Sequence, residues 1–444
     1  MALKPRLKAM AQASLPTPVT ETLRAAIRRI RRQRAKLGKR WRAWKAPLLH
    51  ARLLATHRGA RPIRVAFLVS NTASWKVGPV LSRMLEDEDF QTIAVICPVV
   101  AGQLSHVADQ TAEAVRRYLD MQGFAYVDLT GVDESDAKAE LDRLDPHLVV
   151  FTNPHRLVPE ALHDDLFRQR LSCYVPYSHE VMQYGDDQEQ HNQESHNAFW
   201  RIFVPHDASR RCYAEARIRG DAGVSVTGFP ACEPLMEPAT AREPSPWQPQ
   251  DRAKARVVYA PHWLWRPDIK MATIDTFGDA MMRIADDYRE DIQWALRPHP
   301  MLRPKLMEDP AWGPARTQAF FDFWEHSEFS QIHEDDYVPL FRTSDALIHD
   351  SGSFLAEYLY LRKPVMYLMT EETGDKYFNS FGRAAITACE VGRSADEIRR
   401  FLDDLLAGQS APVGHSAFFR QEIAPHLETP PSQKICDEIK RAVT

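Results

Sequence analysis

A Ser-Gly-Ser turn between two apolar runs is the part of this chain best suited to chemistry. Asp350-Ser-Gly-Ser353 follows the apolar run Ala346–Ile348 and opens a helical pattern, and Val365–Met369 then reads as a returning strand. A turn of this kind presents the amides of Ser351, Gly352 and Ser353, two hydroxyls and the positive end of a helix dipole, which suit a phosphate or diphosphate. It also falls beyond the carboxyl end of a strand, where parallel α/β sheets bind ligands. Glu357 lies one helical turn past Ser353, placed to hold the two hydroxyls of a ribose. A plain Ser N-cap in a βαβ unit accounts for the turn alone equally well. Two further strand ends favour the ligand. Arg297-Pro-His-Pro300 follows the strand Ile292–Leu296, and Tyr259-Ala-Pro-His-Trp263 ends another. Arg297 supplies a fixed cationic fork and His299 a switchable donor, while the prolines keep the turn out of a helix. His262 either contacts the donor or packs on Trp265. His333 and His349 stay open, His349 as a simple strand end.

The elements that position these residues follow from strand and helix signals. Ile63–Val69, Gln91–Cys97, Leu148–Phe151, Ser172–Pro176, Arg201–Val204 and Ser225–Thr227 read as strands. Helical patterns alternate with them, near Val77–Glu86 and over Asp109–Gln122. Alternation of this kind predicts an α/β fold with doubly wound parallel sheets. A Pro-, Glu-, Gln- and Ala-rich stretch, 237–255, reads as a linker, and the pattern restarts at Arg256 and closes with a helix over Ala395–Ala407. The expected division is a basic arm (1–60), a first α/β domain (61–236), the linker, a second α/β domain (256–410) and a tail (411–444).

The chain has 444 residues, 44% hydrophobic and 26% charged, as in ordinary globular proteins. No apolar run is long enough to span a membrane, and charges interrupt every N-terminal apolar stretch, against a signal peptide. Six scattered cysteines without C-x-x-C spacing suggest free thiols in a reducing cytoplasm. The net charge of −4 hides an asymmetry: residues 1–60 hold sixteen Lys and Arg against one acidic residue, Glu21. Within 20–50, Leu23, Ile27, Ile30, Leu37, Trp41, Trp44 and Leu48 recur at three- and four-residue steps. A basic amphipathic helix with two tryptophans on its apolar face suits an anionic membrane surface. Docking on its own domain, pairing with another helix and RNA binding are the alternatives. The acidic body argues against nucleic acid as a partner.

Tyr259-Ala-Pro-His-Trp263, Arg297-Pro-His-Pro300 and the Asp345–Pro364 segment resemble the CDP-glycerol glycerophosphotransferase family, the teichoic-acid polymerase type of GT-B transferase. The resemblance spans roughly residues 62 to 405. Trp312-Gly313 with Arg316-Thr317, and Asp336-Tyr337 before Leu340-Phe341, resemble its capsule and lipopolysaccharide branch. The Asp-Ser-Gly-Ser turn with Glu357 is similar too to the nucleotide site of UDP-GlcNAc 2-epimerases. The resemblance implies a GT-B fold with two domains facing a cleft, a nucleotide-diphosphate donor in the second domain, and a tail packed back on the first. It implies transfer of a polyol phosphate, with glycerol phosphate from CDP-glycerol as first guess, to a hydroxyl of a cell-surface glycan or its lipid-linked precursor. A sugar transferase of capsule or lipopolysaccharide synthesis, an epimerase-like enzyme and an inactive assembly subunit are the other readings. Neither a metal nor a cofactor is expected, and the expected place is the cytoplasm, peripheral on the inner face of the membrane. In the family the base is a His in a loop after a strand. Here that region reads Ser178-His179-Glu180 in place of His-Gly-Thr-Pro, making His179 the first candidate, oriented by Glu180 or another carboxylate, and His262 the second. The mixed cluster Asp186, Asp187, Glu189, His191, Glu194 and His196 matches no metal motif and reads as a solvated face. His147, His155 and His206 read as hydrogen-bonded scaffold.

Overall fold

The computed structural model describes residues 17–100, 108–183, 190–238, 245–263, 265–266, 269–371, 376–410 and 415–444, with side chains from Leu37 onward except those of Trp265, Arg266, Ile269, His415 and Ser416, so the expected packing of His262 on Trp265 lies outside the described side chains. Short apolar runs form its strands because a parallel strand covered on both faces has little room for polar residues. In the first domain these are β1 (Ile63–Val69), β2 (Phe90–Ile96), β3 (Tyr126–Asp128), β4 (Leu148–Phe151), β5 (Leu171–Tyr174), β6 (Arg201–Val204) and β7 (Val224–Val226). They lie in the order β3-β2-β1-β4-β5-β6-β7, all parallel. Successive residues of β1 serve opposite faces: Val65 and Phe67 join one core, Ala66 and Leu68 the other.

The second domain contains β8 (Ala255–Ala260), a small antiparallel pair β9 (Trp265–Arg266) and β10 (Ile269–Lys270), then β11 (Ile292–Leu296), β12 (Ser330–Ile332), β13 (Ala346–His349), β14 (Val365–Leu368) and β15 (Glu390–Gly392). The parallel sheet runs β12-β11-β8-β13-β14-β15. The strands foreseen from apolar runs form with ends unshifted or shifted by at most two residues. β3, β12 and β15 were not foreseen, because each is three residues long and mixes polar with apolar side chains.

One core joins the two domains. Val181, Phe229, Cys232 and Leu235 of the first pack with Val258, Leu355, Tyr360 and Phe381 of the second. The terminal helix Pro431–Val443 packs against the helix Gly78–Leu85 of the first domain through Ile435, Cys436 and Ile439. Arg83 fastens it, donating to Ser432 Oγ and Gln433 Oε1 at 2.8 Å each.

The N-terminal helix Thr17–His57 docks on the first domain by a narrow face. Ala43, Ala46 and His50 are buried, and His50 Nε2 lies 2.9 Å from the Ala198 carbonyl. Lys39 donates to the Asn192 carbonyl and Arg42 pairs with Glu194. The stripe Leu37, Trp41, Trp44 and Leu48 points away, with Trp41 57% and Trp44 68% exposed. Among the described residues no helix is long and apolar enough to cross a membrane.

Candidate active site

Sheet order brings the three strand-end turns together. β11, β8 and β13 are neighbours, so Arg297–Pro300, Pro261–Trp263 and Asp350–Ser353 share one edge of the second sheet. The strand order reverses between β8 and β13, which run parallel, and a crevice opens at such a point. Asp350 clamps the turns. Its Oδ1 accepts the His262 amide at 2.6 Å, and its Oδ2 accepts the Thr273 amide at 2.6 Å and the Thr273 hydroxyl at 2.9 Å. Burial pushes this carboxyl up to about 6 against the pull of those hydrogen bonds. In the sequence Asp350 looked only like a turn residue; its partners lie 77 and 88 positions away.

His349 is buried and neutral, held down at about 3 by burial, and its Nδ1 accepts the Ser351 amide at 3.1 Å. The Ser351 amide is therefore spent inside the protein, which removes it from the three amides expected to face a ligand. Those of Gly352 and Ser353 lie in the first turn of the helix Gly352–Glu357, where no earlier helical carbonyl serves them. His262 and His299 meet with ring centroids 4.6 Å apart, and Trp263 lies 5.7 Å from His299. His299 accepts the Met301 amide on Nδ1 at 3.1 Å. Burial lowers both imidazoles, His262 to about 4, and the cation of Arg297 adds to the effect on His299. Arg297 donates from Nη1 to the His333 carbonyl at 3.1 Å, which fixes one edge of its fork.

Glu357 is 0% exposed, and neither carboxylate oxygen closes a hydrogen bond of ordinary geometry. Tyr337, Tyr360 and Cys232 feel its charge, which together with burial raises all three. Lys76, from the turn after β1, reaches across and donates to the Tyr337 hydroxyl at 3.1 Å. Neither Lys76 nor Tyr337 stood out as a site residue in the sequence.

His179 enters differently from the expectation that Glu180 orients it. Glu180 takes φ +50°, so the two side chains diverge. The Glu180 carboxylate accepts from Ser209 and, at 3.0 Å, from Tyr213, and burial pushes it up to about 7. His179 is 1% exposed and stacks on His206 and Phe381, with Nε2 2.9 Å from the Tyr360 hydroxyl. Burial holds it at about 3. Its loop then crosses to the second domain. Gln183 N donates to Tyr377 O at 2.7 Å, and Asn379 donates to Val181 O from its amide and to Glu180 O from its side chain. The crossing requires Gly382, because a Cβ there would lie 2.3 Å from the Val181 carbonyl.

The remaining histidines serve the scaffold. His206 caps the helix Asp207–Ala216 through the Ser209 amide at 3.0 Å, His147 accepts the Arg64 amide at 3.3 Å, and His155 meets Gln193 Nε2 at 2.8 Å. Of the mixed cluster, Asp186, Asp187 and Glu189 lie outside the described residues; His191 and His196 pack edge-on against Tyr213 and are buried. Among the described residues the one three-group set with metal-ligand spacing is Asp322, Glu325 and His326, on a surface helix away from these turns.

The CDP-Glycerol:Poly(glycerophosphate) glycerophosphotransferase family matches residues 176–439, more than half of the chain. The chain belongs to that family. Its fold agrees. The wall teichoic acid polymerase TagF shares 14% identity at a TM-score of 0.56, covering 92% of this chain and 98% of that one. UDP-GlcNAc 2-epimerase from Neisseria meningitidis, solved bound to UDP-GlcNAc, shares 14% identity at a TM-score of 0.53, covering 85% and 99%. No curated protein matches the sequence. As a glycerophosphotransferase-family transferase with a GT-B-like pair of sheets, the protein places its three turns in the second domain, inside the matched region.

Proposed function

We propose that this transferase moves a polyol phosphate, with glycerol phosphate from CDP-glycerol as the first donor to test, onto a hydroxyl of a cell-surface glycan or its lipid-linked precursor. The observation that carries the donor assignment is Glu357, a fully buried carboxylate on the helix that opens at Ser351–Ser353, whose oxygens close no hydrogen bond of ordinary geometry and so keep acceptor positions to fill. A buried unpaired carboxylate is costly unless something else fills its acceptor sites. The vicinal hydroxyls of a ribose match it. The diphosphate then lies over the Gly352 and Ser353 amides and the Ser351 and Ser353 hydroxyls, with Arg297 and His299 opposite.

In the reaction the acceptor hydroxyl attacks the distal phosphorus. The bond from that phosphorus to the bridging oxygen breaks, and the nucleoside monophosphate leaves with the electron pair. Arg297 and the turn amides stabilise the charge that develops on the phosphoryl and bridging oxygens. The proton of the attacking hydroxyl passes to a neutral imidazole. His262 suits this role because it is half-buried at the donor turn and already neutral. His179 is the second candidate: its Nδ1 has no partner, and it becomes reachable if its loop moves.

The exposed stripe Leu37, Trp41, Trp44 and Leu48 among basic residues supports a peripheral place on the anionic inner face of the cytoplasmic membrane, where a lipid-linked acceptor is presented. The test of the function is a thermal-shift screen of CDP-, UDP- and CMP-linked donors, followed by detection of released nucleotide with a glycan acceptor. Stabilisation and CMP release with CDP-glycerol support the reading. Turnover only with a nucleotide sugar replaces it with glycosyl transfer.

A further inference from the structure

We propose that Lys76 of the first domain, acting through Tyr337, positions Glu357 to read the donor's ribose, so that nucleotide recognition depends on the first domain being docked. This rests on the donor reading above and names residues that reading did not contain.

The geometry supplies a directed chain of donors. Lys76 Nζ has protons only to give, and it gives one to the Tyr337 oxygen at 3.1 Å. That leaves the tyrosine's own proton to point elsewhere, and the nearby charged acceptor is Glu357. The ammonium also lies 4.7 Å from the Tyr337 ring centroid, which fixes the ring by a cation–π contact. Asp336 holds the backbone end of the same residue, capping the helix Tyr337–Thr343 through the Val338 amide at 3.0 Å. Tyr337 is thus held at both ends, by its own domain at the backbone and by the other domain at the hydroxyl.

Charge gives the arrangement its purpose. Glu357 is 0% exposed among Tyr337, Tyr360 and Cys232, none of which is a cation. Its charge and that of Lys76 act on the buried Cys232 thiol in opposite senses, which places both within electrostatic range of one atom. Lys76 is therefore a countercharge delivered from a different domain, 281 positions earlier in the chain than Glu357. A carboxylate with acceptor positions still to fill takes the two hydroxyls of a ribose; a donor lacking one hydroxyl leaves an acceptor unfilled. Separation of the domains withdraws Lys76 and lets Tyr337 turn, and the discrimination weakens.

The experiment measures binding of CDP and 2′-deoxy-CDP, and of UDP and 2′-deoxy-UDP, to the full chain by calorimetry. The wild-type protein is expected to prefer the ribonucleotide by about tenfold or more, roughly 1.4 kcal/mol. Lys76→Met and Tyr337→Phe should each shrink that ratio to about threefold or less, chiefly by weakening the ribonucleotide, and Lys76→Arg should restore it. A merely structural role of Lys76 would weaken both nucleotides alike. A preserved ratio in either Lys76→Met or Tyr337→Phe, with melting unchanged, overturns the inference and leaves the donor reading standing. Failure of the wild-type protein to bind any of the four nucleotides overturns the donor reading itself.

Discussion

The carboxylate of Asp350 holds the backbone of His262 at 2.6 Å across two strands. Its other oxygen accepts two donors from Thr273, and all these groups are enclosed. Replacing Asp350 by Asn turns one acceptor into an NH2 facing N–H groups. Asp350→Asn is expected to cost about 1–3 kcal/mol of stability, the price of buried donors left unpaired. Donor affinity should fall with it as the 261–263 turn loosens. Urea unfolding and calorimetry check both, and wild-type values in each would show that the clamp does not organise the site.

Arg297→Ala, and separately Ser351→Ala with Ser353→Ala, should weaken donor binding while the fold stays intact. One charge-assisted contact corresponds to about 1.5–3 kcal/mol. The arginine should matter more, because it contributes a full positive charge while the serine variants lose only neutral hydroxyls and keep their amides. Unchanged donor affinity in both variants would remove the diphosphate from these turns.

His262→Asn should keep donor binding and lower turnover by about 10²–10⁴-fold if His262 takes the proton. His179→Asn is the paired variant. A loss confined to His179→Asn, with unaltered melting, would transfer the role to His179 and require its loop to open. Turnover within a few-fold of wild type in both would place the base elsewhere.

Acid should destabilise the protein well before its exposed carboxylates titrate. His50, His147, His191 and His262 are lowered to about 4, and His179 and His349 to about 3, from an unfolded value of 6.5. Below pH 6.5 the unfolded chain binds protons that the folded chain refuses, so stability falls from there towards pH 4. Glu180 and Asp350 act in the opposite sense: raised to about 7 and about 6, they bind protons first in the folded state and gain stability as pH falls. Six imidazoles outweigh two carboxyls, and the melting temperature should drop between pH 6.5 and 4. A profile that rises over that range would contradict the burial of the imidazoles.

Removing residues 1–60 should release the protein from anionic vesicles without abolishing donor binding. The attraction of the basic helix should weaken at high salt, since screening acts beyond about 8 Å at physiological ionic strength. Equal co-sedimentation of both forms would argue against the membrane role. Loss of folding in the truncated form would show that the buried face, Ala43, Ala46 and His50, outweighs the exposed one.

How far the sequence speaks depends on the range over which its signals act. Ile63–Val69, Leu148–Phe151, Arg201–Val204 and Ile292–Leu296 were legible to the residue because a strand buried on both faces must be apolar along a short run. The Asp-Ser-Gly-Ser and Arg-Pro-His-Pro turns were legible because turn chemistry is local. The helix over residues 20–50 declared itself by its period, and the part of its apolar stripe from Leu37 to Leu48 lies on one exposed face. Which turns meet was decided by strand order, a matter of packing between elements far apart in the chain. The same packing turned Asp350 from a turn residue into a clamp, spent the Ser351 amide on His349, and buried His179 beneath Phe381. It also carried Lys76 to Tyr337. No local period or turn preference encodes a contact between residues 261 positions apart; only the docking of two finished domains brings such side chains within reach.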